Sequence, residues 1–238
     1  RTAETIALWQ AYGFCHGVLN TDNMSILGLT FDFGPYAFLD DFKQAHICNH
    51  SDHHGRYAFN QQVAIGYWNL TAFAETLTRH VSVARLQGIL DGYAAIQQQA
   101  HLTAMRARLG LLGEQAGDAV LVDKLLAQMD HSAVDYTLFF RHLGELPVAE
   151  ALAKLRDDFI NRAAFDEWSA EFIARNADDS RSQEQRRAQM HAVNPLYMLR
   201  NYLIQIVIEA AEDGDYAPLH KLHQVLSTPF TAQEGCDA

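Results

Sequence analysis

The chain has 238 residues, 49% of them hydrophobic and 20% charged, and a mean hydropathy of −0.15, the make-up of a soluble globular protein. Its 29 acidic residues outnumber 18 basic ones, and the resulting net charge of −11 argues against a nucleic-acid partner. No apolar run reaches the roughly 18 residues of a membrane span, no signal peptide is visible, and three scattered cysteines give neither a disulfide framework nor a paired zinc motif. The first residue is Arg1 rather than Met, so the sequence reads as a piece of a longer protein. A reducing cytoplasm is the expected compartment, or a mitochondrial matrix if a transit peptide has been lost.

In chain order, Thr2 to Tyr12 reads as a helix with Ile6 and Trp9 on one face and a stop at Gly13. The densest chemistry follows at once, in His16-Gly17-Val18-Leu19-Asn20-Thr21-Asp22-Asn23 and Asp32-Phe33-Gly34. Protein kinases hold Mg-nucleotide with a loop Asn seven residues after a His and with the Asp of an Asp-Phe-Gly. His16 and Asn23 keep that spacing. Mg²⁺ takes oxygen ligands, one or two from protein and the rest from phosphates and water. Asn23 offers an amide oxygen and Asp32 a carboxylate. Val18 stands where a kinase has its base, which leaves Asp22 as the only loop carboxylate able to orient or deprotonate a hydroxyl. Ser25 to Phe31 reads as two short strands reversing at Gly28, a hairpin that would set Asn23 beside Asp32. The plainer alternative is that Thr21-Asp22-Asn23 and Asp32-Phe33-Gly34-Pro35 are ordinary turns. Cys15 reads as a small core residue and His16 as a structural brace.

Tyr36 to about Ala64 shows few helix signals and occupies the place of a kinase activation segment. His50, Asp52, His53 and His54 are dense in metal-ligand chemistry, but neighbours in one loop rarely reach a tetrahedral centre together. Arg56 is suited to a phosphate or to an internal carboxylate. Beyond Gly66 the chain reads as helical. Its stripes are Leu70, Phe73, Ala74 and Leu77; Leu86, Ile89, Tyr93 and Ile96; Val122, Leu125, Leu126 and Met129; and Phe165, Trp168 and Phe172, all expected in the core. Ser132 with Asp135 reads as a capping box for a helix ending near Gly144. Asp178 to Arg187 reads as a solvated connection or an exposed helix. Asn194-Pro195 reads as the start of a helix carrying Leu199, Tyr202, Leu203, Ile206 and Ala210, and Leu219 to Leu226 as the last one.

Three runs together resemble the selenoprotein O family: Gly13 to Gly28; Ile47-Cys48-Asn49-His50-Ser51-Asp52 with Gly55-Arg56-Tyr57 and Ile65-Gly66-Tyr67-Trp68-Asn69-Leu70; and Asn194 to Tyr202. The resemblance spans nearly the whole chain. It implies a kinase-like fold that transfers AMP from ATP to hydroxyls of protein substrates. Asp22 then matches the base, and Asn23 and Asp32 match the ligands of Mg²⁺ or Mn²⁺, with Asp32 meeting ATP through the metal. Cys48 matches a cysteine that can be redox-linked to a Cys or Sec near the far C-terminus, usually after a Pro-Pro-x-Trp stretch. Gln233 to Ala238 lack that stretch, so Cys236 is not the expected partner.

The expected architecture is mainly α with a small β-hairpin, a kinase-like C-lobe over residues 1–238. Residues 1–64 would carry the catalytic, metal and activation-segment loops, and 65–238 a helical subdomain. The Gly-rich loop and strand Lys of an N-lobe are absent, so this piece alone is expected to be inactive. A kinase-type phosphotransferase and a non-catalytic helical scaffold are the competing readings; neither nucleic acid nor membrane is an expected partner.

Overall fold

A computed structural model describes residues 1–236; Asp237 and Ala238, the end of the expected lobe, lie outside the described residues. The chain is mainly helical with one two-stranded sheet. It divides into two compact units, residues 1–37 with 43–104 and residues 38–42 with 105–238. No helix among the described residues is long and apolar enough to cross a membrane.

The first unit opens with α1 (Thr2–Tyr12), which ends as its sequence predicts. Gly13 takes the left-handed conformation (φ 72°) and its N–H returns to Trp9 O. Strands β1 (Phe14–Cys15) and β2 (Ala37–Phe38) flank the chemistry-rich stretch, and the unit boundary falls within β2. Next come α2 (Gln62–Thr76), α3 (Val83–Asp91) and α4 (Tyr93–Leu109), with the second boundary inside α4 after Ala104.

The hairpin expected over Ser25–Phe31 does not form. Gly28 N–H closes a turn on Ser25 O at 3.1 Å. Thr5 Oγ1 then donates to Gly28 O at 2.7 Å, and Trp9 Nε1 to Thr30 Oγ1 at 2.9 Å. The segment's hydrogen bonds go to the side of α1 instead of across a ladder. Ile26, Leu27, Leu29, Phe31 and Phe33 are left facing water.

The α2 stripe is a second correction. The buried face of α2 is Gln62, Gly66 and Asn69, whereas Leu70, Phe73, Ala74 and Leu77 line an open apolar groove with Leu86, Ile89, Tyr93 and Ile96. Leu86 and Tyr93 are buried, but Ile89 is 65% exposed and Ile96 49%. Amphipathic spacing identifies the apolar face of a helix and says nothing of whether something covers it.

The second unit holds α5 (Asp118–Ser132), α6 (Tyr136–Leu143), α7 (Val148–Leu155), α8 (Arg162–Arg175), α9 (Gln183–Val193), α10 (Asn201–Glu212) and α11 (Ala217–Ser227). Val122, Leu125 and Met129 of α5 and Phe165, Trp168 and Phe172 of α8 are core, as their spacing predicts. Trp168 stacks on Phe172 at 5.0 Å and donates Nε1–H to Leu121 O. The cap of α6 is Asp135 alone, accepting from Leu138 N–H; Ser132 belongs to α5, and its hydroxyl accepts from Ile160 N–H. Asp178 to Arg187 holds both, a connection and then a capping box at Ser182 and Gln185 that opens α9.

Asn194 starts no helix. It ends α9, is fully buried, and accepts from Arg108 Nε at 3.0 Å while donating to Arg108 O at 2.8 Å. Arg108 is buried too, with Cζ 3.8 Å from the Phe140 ring centroid. The helix expected to begin there starts only at Asn201, and no residue of α10 is buried. Asp118, also buried, takes Arg106 Nε at 2.8 Å and Arg175 Nε at 2.6 Å. Burial raises its pKa, yet Arg175, the Gln115 N–H and Arg106 together hold it below the usual carboxylate value.

Candidate active site

The predicted site residues all lie in the first unit, on backbone that other side chains hold in place. Asn20 caps a 3-10 turn over Thr21–Asn23, its Oδ1 accepting from Asp22 N–H at 3.2 Å and Asn23 N–H at 3.1 Å. Asn23 Nδ2 donates to Val18 O at 3.0 Å. That bond fixes the amide orientation and leaves Oδ1 as the free end, the atom a hard cation takes.

The loop floor comes from α2. Gln62 Oε1 accepts from His16 N–H at 2.8 Å, and its Nε2 donates to Phe14 O at 2.9 Å. Two turns further, Asn69 Nδ2 donates to Leu19 O at 3.1 Å and Asn20 O at 3.3 Å. These two amides explain why the buried face of α2 is polar: it satisfies the backbone of a loop that has no ladder of its own. Sequence reasoning did not single out Gln62 or Asn69 as functional residues.

His16 ties the two halves of the motif together. Its Nδ1 lies 3.4 Å from Val18 N, and its Nε2 lies 2.9 Å from Phe31 O. A neutral ring protonated on Nε2 satisfies both, accepting from Val18 N–H and donating to Phe31 O. Gly17 beside it has φ 77°, and an added Cβ would fall 2.4 Å from Pro35 O, so only glycine fits. Burial holds the His16 imidazole below its usual pKa, outweighing help from Phe31 O and the Asp32 charge. An unfolded His16 takes its proton near pH 6.5, and the folded one only at lower pH. The unfolded chain therefore binds more protons as pH falls, so this stabilisation is complete above about pH 6.5 and is lost through the folded value. The full-length protein is expected to lose melting temperature as pH drops from about 6.5 towards 5, with a shallower slope in His16→Gln. Identical slopes in the two proteins would refute the assignment.

Asp32 has φ 59°, the left-handed region that few side chains other than Asn and Asp enter. Phe33 follows, meeting the Phe14 ring at 6.3 Å and the Tyr36 ring at 5.4 Å, both edge-on. Strain at an acidic residue held between His16 and an aromatic cluster is the kind of outlier that accompanies function. Asp22 and Asp32 are exposed, and neither carboxylate makes a side-chain hydrogen bond or ion pair among the described residues. Asn23 Oδ1 and the Asp22 and Asp32 carboxylates are thus oxygen atoms that the described hydrogen bonds and ion pairs leave unused, the atom type a hard cation takes. No cluster of three or more His, Cys, Asp or Glu placed to hold a metal occurs among the described residues. Asp52, for one, uses its oxygens to accept from Arg56 N–H and Tyr57 N–H.

Cys48 packs beneath the loop. Its thiol donates to Pro35 O at 2.6 Å, and its Sγ lies 3.5 Å from that of Cys15. The Cys15 contact and burial push the Cys48 thiol up, which keeps it protonated. Asn49, next in sequence, donates Nδ2–H to Gly17 O at 3.2 Å.

The family model "Protein adenylyltransferase SelO" matches residues 1–227, and the chain belongs to that family. It is 58% identical over 238 residues to "Protein nucleotidyltransferase YdiU" of Pseudomonas fluorescens (strain SBW25), and 57% over 238 to the protein so named from Pseudomonas putida (strain W619). Its identity to the Pseudomonas aeruginosa (strain LESB58) protein of that name is 58% over 237 residues. In each case the whole chain is covered, and it spans 49% of the relative's length.

Proposed function

We propose that the full-length protein transfers AMP from ATP to hydroxyl side chains of other proteins, and that the first unit carries the metal and base groups for it. Family membership supports the reaction class. The observation that carries the residue assignment is the contrast between the side chains that hold the loop and those the loop presents. Asn20, Gln62, Asn69 and His16 spend their polar atoms holding backbone, whereas Asp22, Asp32 and Asn23 Oδ1 are held ready and unspent.

In this reading Asn23 and Asp32 hold the cation and, through it, the nucleotide. A divalent ion there would offset the negative charge that builds on the phosphates. Asp22 orients the acceptor hydroxyl and takes its proton as the oxygen attacks the α-phosphorus. The new P–O bond forms as the bond to the pyrophosphate leaving group breaks. The His-to-Asn spacing, the Asp-Phe-Gly and the helical surroundings support a kinase-like C-lobe, and this piece, about half the length of its relatives, is inactive alone. Cys48 is the candidate redox residue, a role that rests on the resemblance; its oxidation would remove the donor that serves Pro35 O.

The test is transfer of label to protein from α- and γ-labelled ATP by the full-length enzyme. Retained α-label with no γ-label is the expected result. Retained γ-label would make the protein a phosphotransferase, and metal-dependent ATP binding absent altogether would make it a scaffold.

A further inference from the structure

Arg56 is an exposed arginine whose guanidinium rests on aromatic rings. Arg106, Arg156, Arg162, Arg175, Arg181 and Arg200 all pair with carboxylates. Arg56 pairs with none among the described residues, in a chain of net charge −11. Its Cζ lies 5.1 Å from the Trp68 ring centroid and 5.6 Å from that of Tyr57. A guanidinium resting on aromatic faces keeps its in-plane N–H groups open, which is the arrangement that binds a carboxylate or phosphate through two parallel hydrogen bonds. The platform also removes side-chain freedom in advance, so less entropy is lost when a ligand is taken.

The surroundings form a receptacle. Arg56 lines an open pocket of about 600 Å³ with Asn49, His53, His54, Tyr57 and Gln61. His53 and His54 are exposed and add N–H donors. Asp52, the one acid in the wall, has its oxygens engaged by backbone N–H groups, so it shapes the loop and does not claim the guanidinium. The cavity also adjoins the catalytic loop, because Asn49 in its wall donates to Gly17 O.

We infer that this cavity is an anion site in which Arg56 receives a carboxylate side chain of the acceptor protein, close to the hydroxyl that is modified. The inference rests on the transferase reading above and adds the chemistry of the acceptor to it. A protein side chain is the favoured ligand because Ser51, His53, His54 and Arg56 open to the surface. In the transferase reading the nucleotide phosphates are held through the cation at Asn23 and Asp32.

The experiment uses full-length protein, α-labelled ATP and two synthetic acceptor peptides bearing Ser, Thr and Tyr, one flanked by Glu and the other by Gln at the same positions. The wild type is expected to favour the Glu peptide by about tenfold through a lower KM, the size of effect one charge-assisted hydrogen bond supplies. Arg56→Gln should bring that ratio close to one with the KM for ATP unmoved. Arg56→Lys, which keeps the charge but loses the fork, should fall between. A preference that survives Arg56→Gln, or a rise in the KM for ATP, would overturn the inference, the latter assigning Arg56 to a nucleotide phosphate. Anisotropy of a labelled Glu peptide, read without ATP, separates the two proposals. If neither peptide is modified, the transferase reading fails, while tighter binding of the Glu peptide that is lost in Arg56→Gln still upholds the site. Equal binding of both peptides to the wild type removes it.

Discussion

Asp32→Asn in the full-length protein is expected to lower AMP transfer about a thousandfold, a loss of some 4 kcal/mol of transition-state stabilisation. Its melting temperature should stay within about 2 °C of the wild type, because surface substitutions without partners change stability by about 0.5 kcal/mol or less. The Asp32 carboxylate is exposed and contributes no ion pair or side-chain hydrogen bond to the fold among the described residues. Asn is the informative replacement. It enters the left-handed region that Asp32 occupies at φ 59° about as readily, whereas Ala would add backbone strain to the loss of charge. Initial rates with α-labelled ATP, beside a thermal melt, decide the point. A variant that keeps more than about a tenth of the wild-type rate takes Asp32 out of the metal site.

The largest expected change in stability lies in the second unit. Asp118→Asn leaves Arg106 and Arg175, each with a side chain 9% exposed, facing a neutral amide. Removing one member of a buried ion cluster typically costs about 3–5 kcal/mol, with the lower end expected because Arg106 keeps Glu114 at 3.0 Å. The melting temperature should fall by about 10 °C. Glu171→Gln is the control. It removes the partner of Lys124 in a pair where both side chains are 47% exposed, and should cost under about 1 kcal/mol. Similar losses in the two variants would show that Asp118 is not the centre it is taken to be.

How much of this was legible beforehand depended on where each residue's partner lies. The end of α1 at Gly13 and the core faces of α5 and α8 follow from local spacing, because glycine conformation and helical period are properties of the segment itself. The loop chemistry was legible in residue types and intervals. The device that arranges it was not. Gln62 and Asn69 act on backbone 46 to 50 positions away, and nothing within α2 announces those targets. The expected Ser25–Phe31 hairpin failed for the same reason. Its alternation suited a strand pair, but Thr5 and Trp9 of α1 supplied better partners for Gly28 and Thr30. Asn194 looked like a helix start until Arg108, 86 residues earlier, took its amide.

Ile26, Leu27, Leu29, Phe31 and Phe33, between 39% and 71% exposed, string five greasy side chains along one short loop beside the donor set. Contiguous apolar surface of this kind drives association. Preparations of these 238 residues in isolation will tend to cluster through that rim as concentration rises, so light scattering and detergent sensitivity belong in any handling of them. A null binding result obtained with aggregated material would reflect its colloidal state and not the chemistry of the cleft.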